Sequence, residues 1–122
     1  MTIEFGPTAI LSVNVRDVKK AVEWYSQKLG FGVNVLFEEL PWADMATSVP
    51  GLSIGLSQAP ELAGQGGASI TFAVADMAAA RAELEARGVE FRGENVVLPG
   101  MVILADFVDL DGNPMTLAQS LM

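Results

Sequence analysis

The sequence predicts an α+β fold made of two copies of one unit: a strand, a helix and three further strands (βαβββ). Three observations predict it. Asp17 and Asp76 lie 59 residues apart, and Gly30 and Gly88 lie 58 apart, so two halves of the chain share one grammar in register to one residue. Apolar residues recur at helical spacing after each aspartate. Alternating runs bounded by Pro50-Gly51, Pro99-Gly100 and Asp111-Gly112-Asn113-Pro114 fill the remainder.

Each element has a local cause. The alternating run 10–15 reads as the opening strand. Asp17 stands where an N-cap belongs, its carboxylate accepting from the unpaired amides of a first helical turn. Val18, Ala21, Val22, Tyr25 and Leu29 fall on one helical face, with Lys19, Lys20, Glu23 and Gln27 elsewhere. Gly30 fits the left-handed residue that ends a helix. Strands are expected at 33–39, 42–49 and 52–57. The second half repeats the order: a strand at 69–74, Asp76 as cap, a stripe of Met77, Ala80 and Leu84, Gly88 as stop, then strands at 89–94, 101–108 and 114–120. The expected organisation is a single domain with module one at about 8–57, a linker at 58–67 and module two at about 68–120. Pro60 and three glycines mark the linker, and Glu61 is expected to be a solvated residue within it.

Composition narrows the function. The 122 residues contain no cysteine and no histidine. Disulfides, thiolate zinc sites, iron–sulfur clusters, cysteine nucleophiles, Ser-His-Asp triads and imidazole ligands are thereby excluded. Seven basic against fifteen acidic residues give a net charge of -8, which would repel a phosphate backbone, so nucleic acid is not an expected partner. No apolar run approaches membrane-spanning length, and the first residues lack the basic-then-apolar pattern of a signal peptide. The expected location is the cytoplasm, with no membrane partner.

Strand side chains alternate between two faces. Leu11, Val13 and Val15 oppose Ile10, Ser12 and Asn14. Leu52, Ile54 and Leu56 oppose Ser53, Gly55 and Ser57. Ile70, Phe72 and Val74 oppose Ser69, Thr71 and Ala73, with Ala68 beside them, and Met115 and Leu117 oppose Pro114, Thr116 and Ala118. The apolar faces should cover the helices. The other faces are small and hydroxyl-bearing, where an ordinary solvated sheet face carries Lys, Glu, Arg or bulky pairs. Small residues leave room, and a roomy face with a few hydroxyls has the composition of a small-molecule pocket.

Val15-Arg16-Asp17-Val18, Trp24-Tyr25 and Leu29-Gly30-Phe31 resemble the opening of vicinal oxygen chelate proteins. That superfamily includes glyoxalase I, extradiol dioxygenases and bleomycin-resistance proteins. Asp109-Leu110-Asp111-Gly112-Asn113-Pro114 is similar to its second signature, with Leu110 where proline is usual. The resemblance covers almost the whole chain. It implies that the two modules build a half-open, cup-like barrel, often within a homodimer. The metal-ligand positions of active members fall at Ile10, near Gly55, at Ser69 and at Thr116. Two of these lack a side-chain donor, and neutral hydroxyls hold divalent ions poorly. No metal or other cofactor is therefore expected, and the resemblance points toward the bleomycin-resistance branch, whose members sequester a drug without turnover.

The expected partner is a small organic molecule. Ser12, Asn14, Ser69, Thr71 and Thr116 are the candidate hydrogen-bonding residues. Trp42 is the candidate stacking surface, since aromatic faces hold planar or cationic groups. Trp24, beside Tyr25, is assigned to packing or a dimer contact. The carboxylates within strands are Glu38, Glu39, Asp44 and Asp106, and adjacent Glu38 and Glu39 must face opposite ways. An inward Asp106 would need a partner, which a cationic ligand supplies. The alternative is an enzyme, a lyase, isomerase or hydrolase using Asp106 as its catalytic base; if Asp44 and Asp106 both face the cup, a weak divalent site also reopens. A third reading is a non-catalytic interaction module. Asp109, Asp111 and Asn113 read as a turn rather than a calcium loop.

Overall fold

The computed structural model describes residues 7–36, 41–65 and 69–122. The elements run β1 (Ala9–Val15), α1 (Val18–Leu29), β2 (Gly32–Leu36), β3 (Trp42–Ala46), β4 (Leu52–Gln58), β5 (Ile70–Ala73), α2 (Met77–Ala86), β6 (Glu90–Leu98), β7 (Val102–Val108) and β8 (Pro114–Ser120). The chain divides into two compact units, Met1–Glu61 and Leu62–Met122, each with the expected βαβββ order. Unit one holds an open four-stranded sheet in the order β1-β4-β3-β2, and unit two one in the order β5-β8-β7-β6. In both, the first and last strands pair in parallel and the rest antiparallel.

The helices form where the aspartates place them. Asp17 accepts from the Lys20 amide at 3.1 Å and Asp76 from the Ala79 amide at 3.0 Å. A second acceptor, absent from the sequence reading, completes each N-terminus. Gln58 Oε1, at the end of β4, accepts from the Val18 amide at 3.0 Å, and Gln119 Oε1, in β8, accepts from the Met77 amide at 2.6 Å. Each unit thus ties its last strand to the start of its helix, satisfying an amide that the helix cannot. Gly30 ends α1 at φ 74, with its amide and that of Phe31 donating to the carbonyls of Ser26 and Tyr25.

One face of each sheet is covered by its helix. Val18, Ala21 and Tyr25 of α1 are buried with Val15, Ala43, Met45, Ile54 and Leu56. Tyr25 is fully buried, with Trp24 edge-on to it at 5.1 Å, so Trp24 is a packing residue. In unit two, Met77 is buried with Phe72, Ala105, Phe107, Met115 and Leu117, while Ala80 and Leu84 are half-buried. The apolar strand faces are thus the helix-covered ones, as the alternation predicts.

Several boundaries differ from the sequence reading. The strand expected at 42–49 stops at Ala46, because the Thr47 hydroxyl donates to the Leu52 carbonyl at 2.7 Å and accepts from the Val49 amide at 3.1 Å, closing a turn early. The strand expected at 89–94 continues to Leu98. The sequence reading stopped it near Gly93, but Gly93 (φ 77) is a bulge at which the β6–β7 register shifts, and the strand resumes beyond it. Arg81 of α2 holds that bulge, donating to Gly93 O at 3.0 Å and Asn95 Oδ1 at 2.7 Å, with its guanidinium 4.6 Å over the Phe91 ring. Gln58, expected in the linker, belongs to β4. The segment 37–40, with part of the expected strand 33–39, lies outside the described residues, as does 66–68 with Ala68 and the end of the linker.

The turn at 109–113 is a structural knot. Asp109 Oδ1 accepts from the Asp111 and Asn113 amides at 2.9 and 2.8 Å, and its Oδ2 from Asn113 Nδ2 at 2.9 Å. All three side chains are buried, so the carboxylate is spent on its own turn. Among the described residues no helix is long and apolar enough to cross a membrane.

The glutamine ties are testable. Gln58→Ala and Gln119→Ala are each expected to lower unfolding free energy by about 1 kcal/mol in urea titrations, the usual worth of a helix-capping acceptor. Gln27→Ala, on the exposed side of α1, should change it by less than about 0.5 kcal/mol.

Candidate functional site

The uncovered face of each sheet carries the candidate residues, and strand register orders them into rows. In unit one Ser12 lies opposite Gly55, and Gly55 opposite Asp44. In unit two Thr71 lies opposite Thr116, Thr116 opposite Asp106, and Asp106 opposite Arg92. The rows correspond strand for strand. Ser12 matches Thr71, Gly55 matches Thr116, and Asp44 matches Asp106.

In unit one the side chains crowd around Gly55. A Cβ on Gly55 would stand 3.1 Å from Ile10 Cγ2 and 3.2 Å from Trp42 Cζ2 and Nε1. The glycine therefore seats the half-buried Trp42 indole and Ile10 against the β4 backbone. Beside them Asp44 Oδ2 accepts from Asn34 Nδ2 at 3.0 Å. Asn34 reaches it because the β2–β3 register shifts between Val33 and Val35, leaving Asn34 unpaired in the ladder. Asp44 Oδ1 is buried and accepts no hydrogen bond. Ile10, Asn34, Asp44, Thr47 and Ser53 line an open cavity of about 470 Å³. Ser12 is exposed and Asn14, opposite Ser57, is half-buried on the same face.

In unit two the equivalent aspartate has an internal partner. Thr116 Oγ1 donates to Asp106 Oδ1 at 2.8 Å. Ser69, Arg92, Asp106 and Thr116 line an open cavity of about 540 Å³. Arg92 pairs with Glu90 at 3.3 Å. Thr71 is exposed in β5. Asp106 is exposed too, and the Thr116 hydroxyl serves its Oδ1, whereas Asp44 keeps a buried oxygen without a donor.

The residues present do not fit the family's metal. Ile10 presents a hydrocarbon branch and Gly55 no side chain. The Thr116 hydroxyl is engaged with Asp106. No group of three acidic, histidine or cysteine residues comes together among the described residues. Glu38 and Glu39 lie outside the described residues. The sequence reading missed Asn34 and Arg92. Arg92 carries a legible signal, a basic residue in a strand, but its place opposite Asp106 follows only from register. Asn34 gives no signal, since its reach depends on the irregular β2 register.

Residues 7–116 match the model of the Glyoxalase/Bleomycin resistance protein/Dioxygenase superfamily. No curated protein matches the chain. Among solved structures, the chain is similar to TnmS3, an antibiotic binding protein from Streptomyces sp. CB03234, with 28% identity over 98% of each chain and a TM-score of 0.77. It is similar to a glyoxalase/bleomycin resistance protein from the same organism, with 29% identity, 92% of this chain and 99% of that one covered, and a TM-score of 0.72. A glyoxalase/bleomycin resistance protein/dioxygenase from Nocardioides shares the fold at 21% identity, covering 98% of this chain and 87% of that one, with a TM-score of 0.76. The duplicated βαβββ units, both signatures and a match spanning nearly the whole sequence make this chain a member of the glyoxalase/bleomycin resistance/dioxygenase superfamily.

Proposed function

We propose that the protein binds a small organic molecule bearing an aromatic group and holds it without turnover, as an antibiotic-sequestering member of its superfamily would. One observation carries the reading: an indole seated on Gly55, on the sheet face from which Ile10, Asp44 and Ser53 line an open cavity. Trp42 offers a flat apolar surface for stacking. Ser12, Asn14, Ser69, Thr71 and Thr116 supply hydrogen bonds on the uncovered faces. The antibiotic binding of TnmS3, which matches over nearly its whole length, supports the reading, as does the poor fit to a metal. A homodimer in the cytoplasm belongs to the same reading and rests on the family resemblance and the sequence.

The alternative, catalysis by Asp106, has less support. Asp106 is bonded by Thr116, and no second acid or base is paired with it among the described contacts. Asp106→Asn is expected to leave binding of an uncharged aromatic probe unchanged.

Binding of 2-naphthylmethanol, followed by amide shifts in NMR titration, tests the main reading. Trp42→Ala should weaken it about tenfold or more, the usual worth of one lost stacking surface. A change under about twofold would place the aromatic contact elsewhere. Ser69→Val combined with Thr116→Val should also weaken binding, and unchanged affinity would remove the hydroxyl face from the site.

A further inference from the structure

The two sheet faces differ at one register position, and the difference leaves a mark. In unit two the residue opposite the aspartate is Thr116, whose hydroxyl satisfies Asp106 Oδ1. In unit one it is Gly55, which has no hydroxyl, and the space it vacates holds the Trp42 indole and Ile10. Asn34 satisfies only one oxygen of Asp44. The other, Oδ1, is buried without a hydrogen bond. A carboxylate oxygen taken from water without a donor is a standing cost that a new donor relieves.

We propose that Asp44 is the recognition site for a protonated amine on the ligand, whose N–H supplies to Asp44 what the Thr116 hydroxyl supplies to Asp106. This rests on the binding reading above and adds the ligand's second chemical feature. The cavity that Asp44 lines with Ile10, Asn34, Thr47 and Ser53 has room for an alkylammonium group, and its Ile10 wall meets the Gly55 position against which the indole sits. No lysine or arginine is paired with Asp44, whose hydrogen bond comes from a neutral amide, so a cation entering there meets an uncompensated carboxylate. An N⁺–H···O⁻ contact is about twice as strong as a neutral one. Asp106 makes no such demand.

The experiment compares two probes of one shape, 2-naphthylmethylammonium and 2-naphthylmethanol, titrated into the full chain at pH 7 and followed by amide shifts. The ammonium is expected to bind about tenfold tighter than the alcohol. Asp44→Asn should erase that preference. Asp106→Asn, which changes net charge by the same amount, should leave the preference in place, separating a local contact from the general pull of a protein of net charge -8. Equal affinity of the wild type for both probes would overturn the amine site and leave the aromatic reading intact if Trp42→Ala still weakens them. Loss of the preference in Asp106→Asn rather than Asp44→Asn would overturn it too. Failure of both probes to bind the wild type would overturn the amine site together with the binding reading.

Discussion

The parallel pairing of the first and last strands of each unit is the constraint on which the rest depends. Parallel neighbours cannot be joined by a tight turn, so the chain between them must cross over, and α1 and α2 make that crossing. The crossing decides which sheet face is buried. It also leaves the helix N-terminus next to the end of the last strand, where Gln58 and Gln119 meet the first amides of their helices. Pairing, crossing and tie support one another. A slip of one residue in β4 would move Ile54 and Leu56 out of the core and bring Gly55 and Ser57 into it.

The same register builds the open face. Fixing β1 against β4 places Ser12 opposite Gly55, and fixing β4 against β3 places Asp44 opposite Gly55. The candidate row is thus a by-product of the pairing that secures the core. Duplication then gives a second row that answers position for position, so the two units act as controls for each other. The aspartates are shared. What differs is the residue between them and the first strand, threonine in one unit and glycine in the other. That exchange trades an internal hydrogen bond for a seated indole and leaves Asp44 Oδ1 without a donor.

Much of this was legible in the sequence, for physical reasons. The caps at Asp17 and Asp76, the stop at Gly30 and the two-faced strands are local signals, and local signals survive without coordinates. The separation of Ser12, Asn14, Thr71 and Thr116 from the apolar residues of their strands followed from period-two alternation, whereas the rows that hold Asp44 and Asp106 follow only from strand register. What escaped was non-local or irregular. Gln58 and Gln119 act across about forty residues of chain. The expected strand 89–94 gives no sign of the bulge at Gly93, which Arg81 holds from the neighbouring helix. The roles of Asp44 and Asp106 were the hardest to separate, since each is a lone carboxylate in a strand. Only the hydroxyl of Thr116 and the absence of one at Gly55 tell them apart.

The same contrast bears on why a fold associated with metal chemistry would here serve binding. A divalent ion requires several anionic or imidazole donors converging on one point, and the described residues bring no such set together. Their polar atoms are instead distributed along rows. Such a distribution is poor for holding an ion and good for reading an extended molecule, where each strand contributes a contact and the indole fixes the plane. Gly55 leaves room on that face for the half-buried indole of Trp42 to pack beside Ile10. An unsatisfied carboxylate oxygen beside a seated aromatic ring gives the face a direction, with an apolar end and an anionic end. A ligand complementary to it carries its ring and its positive charge close together.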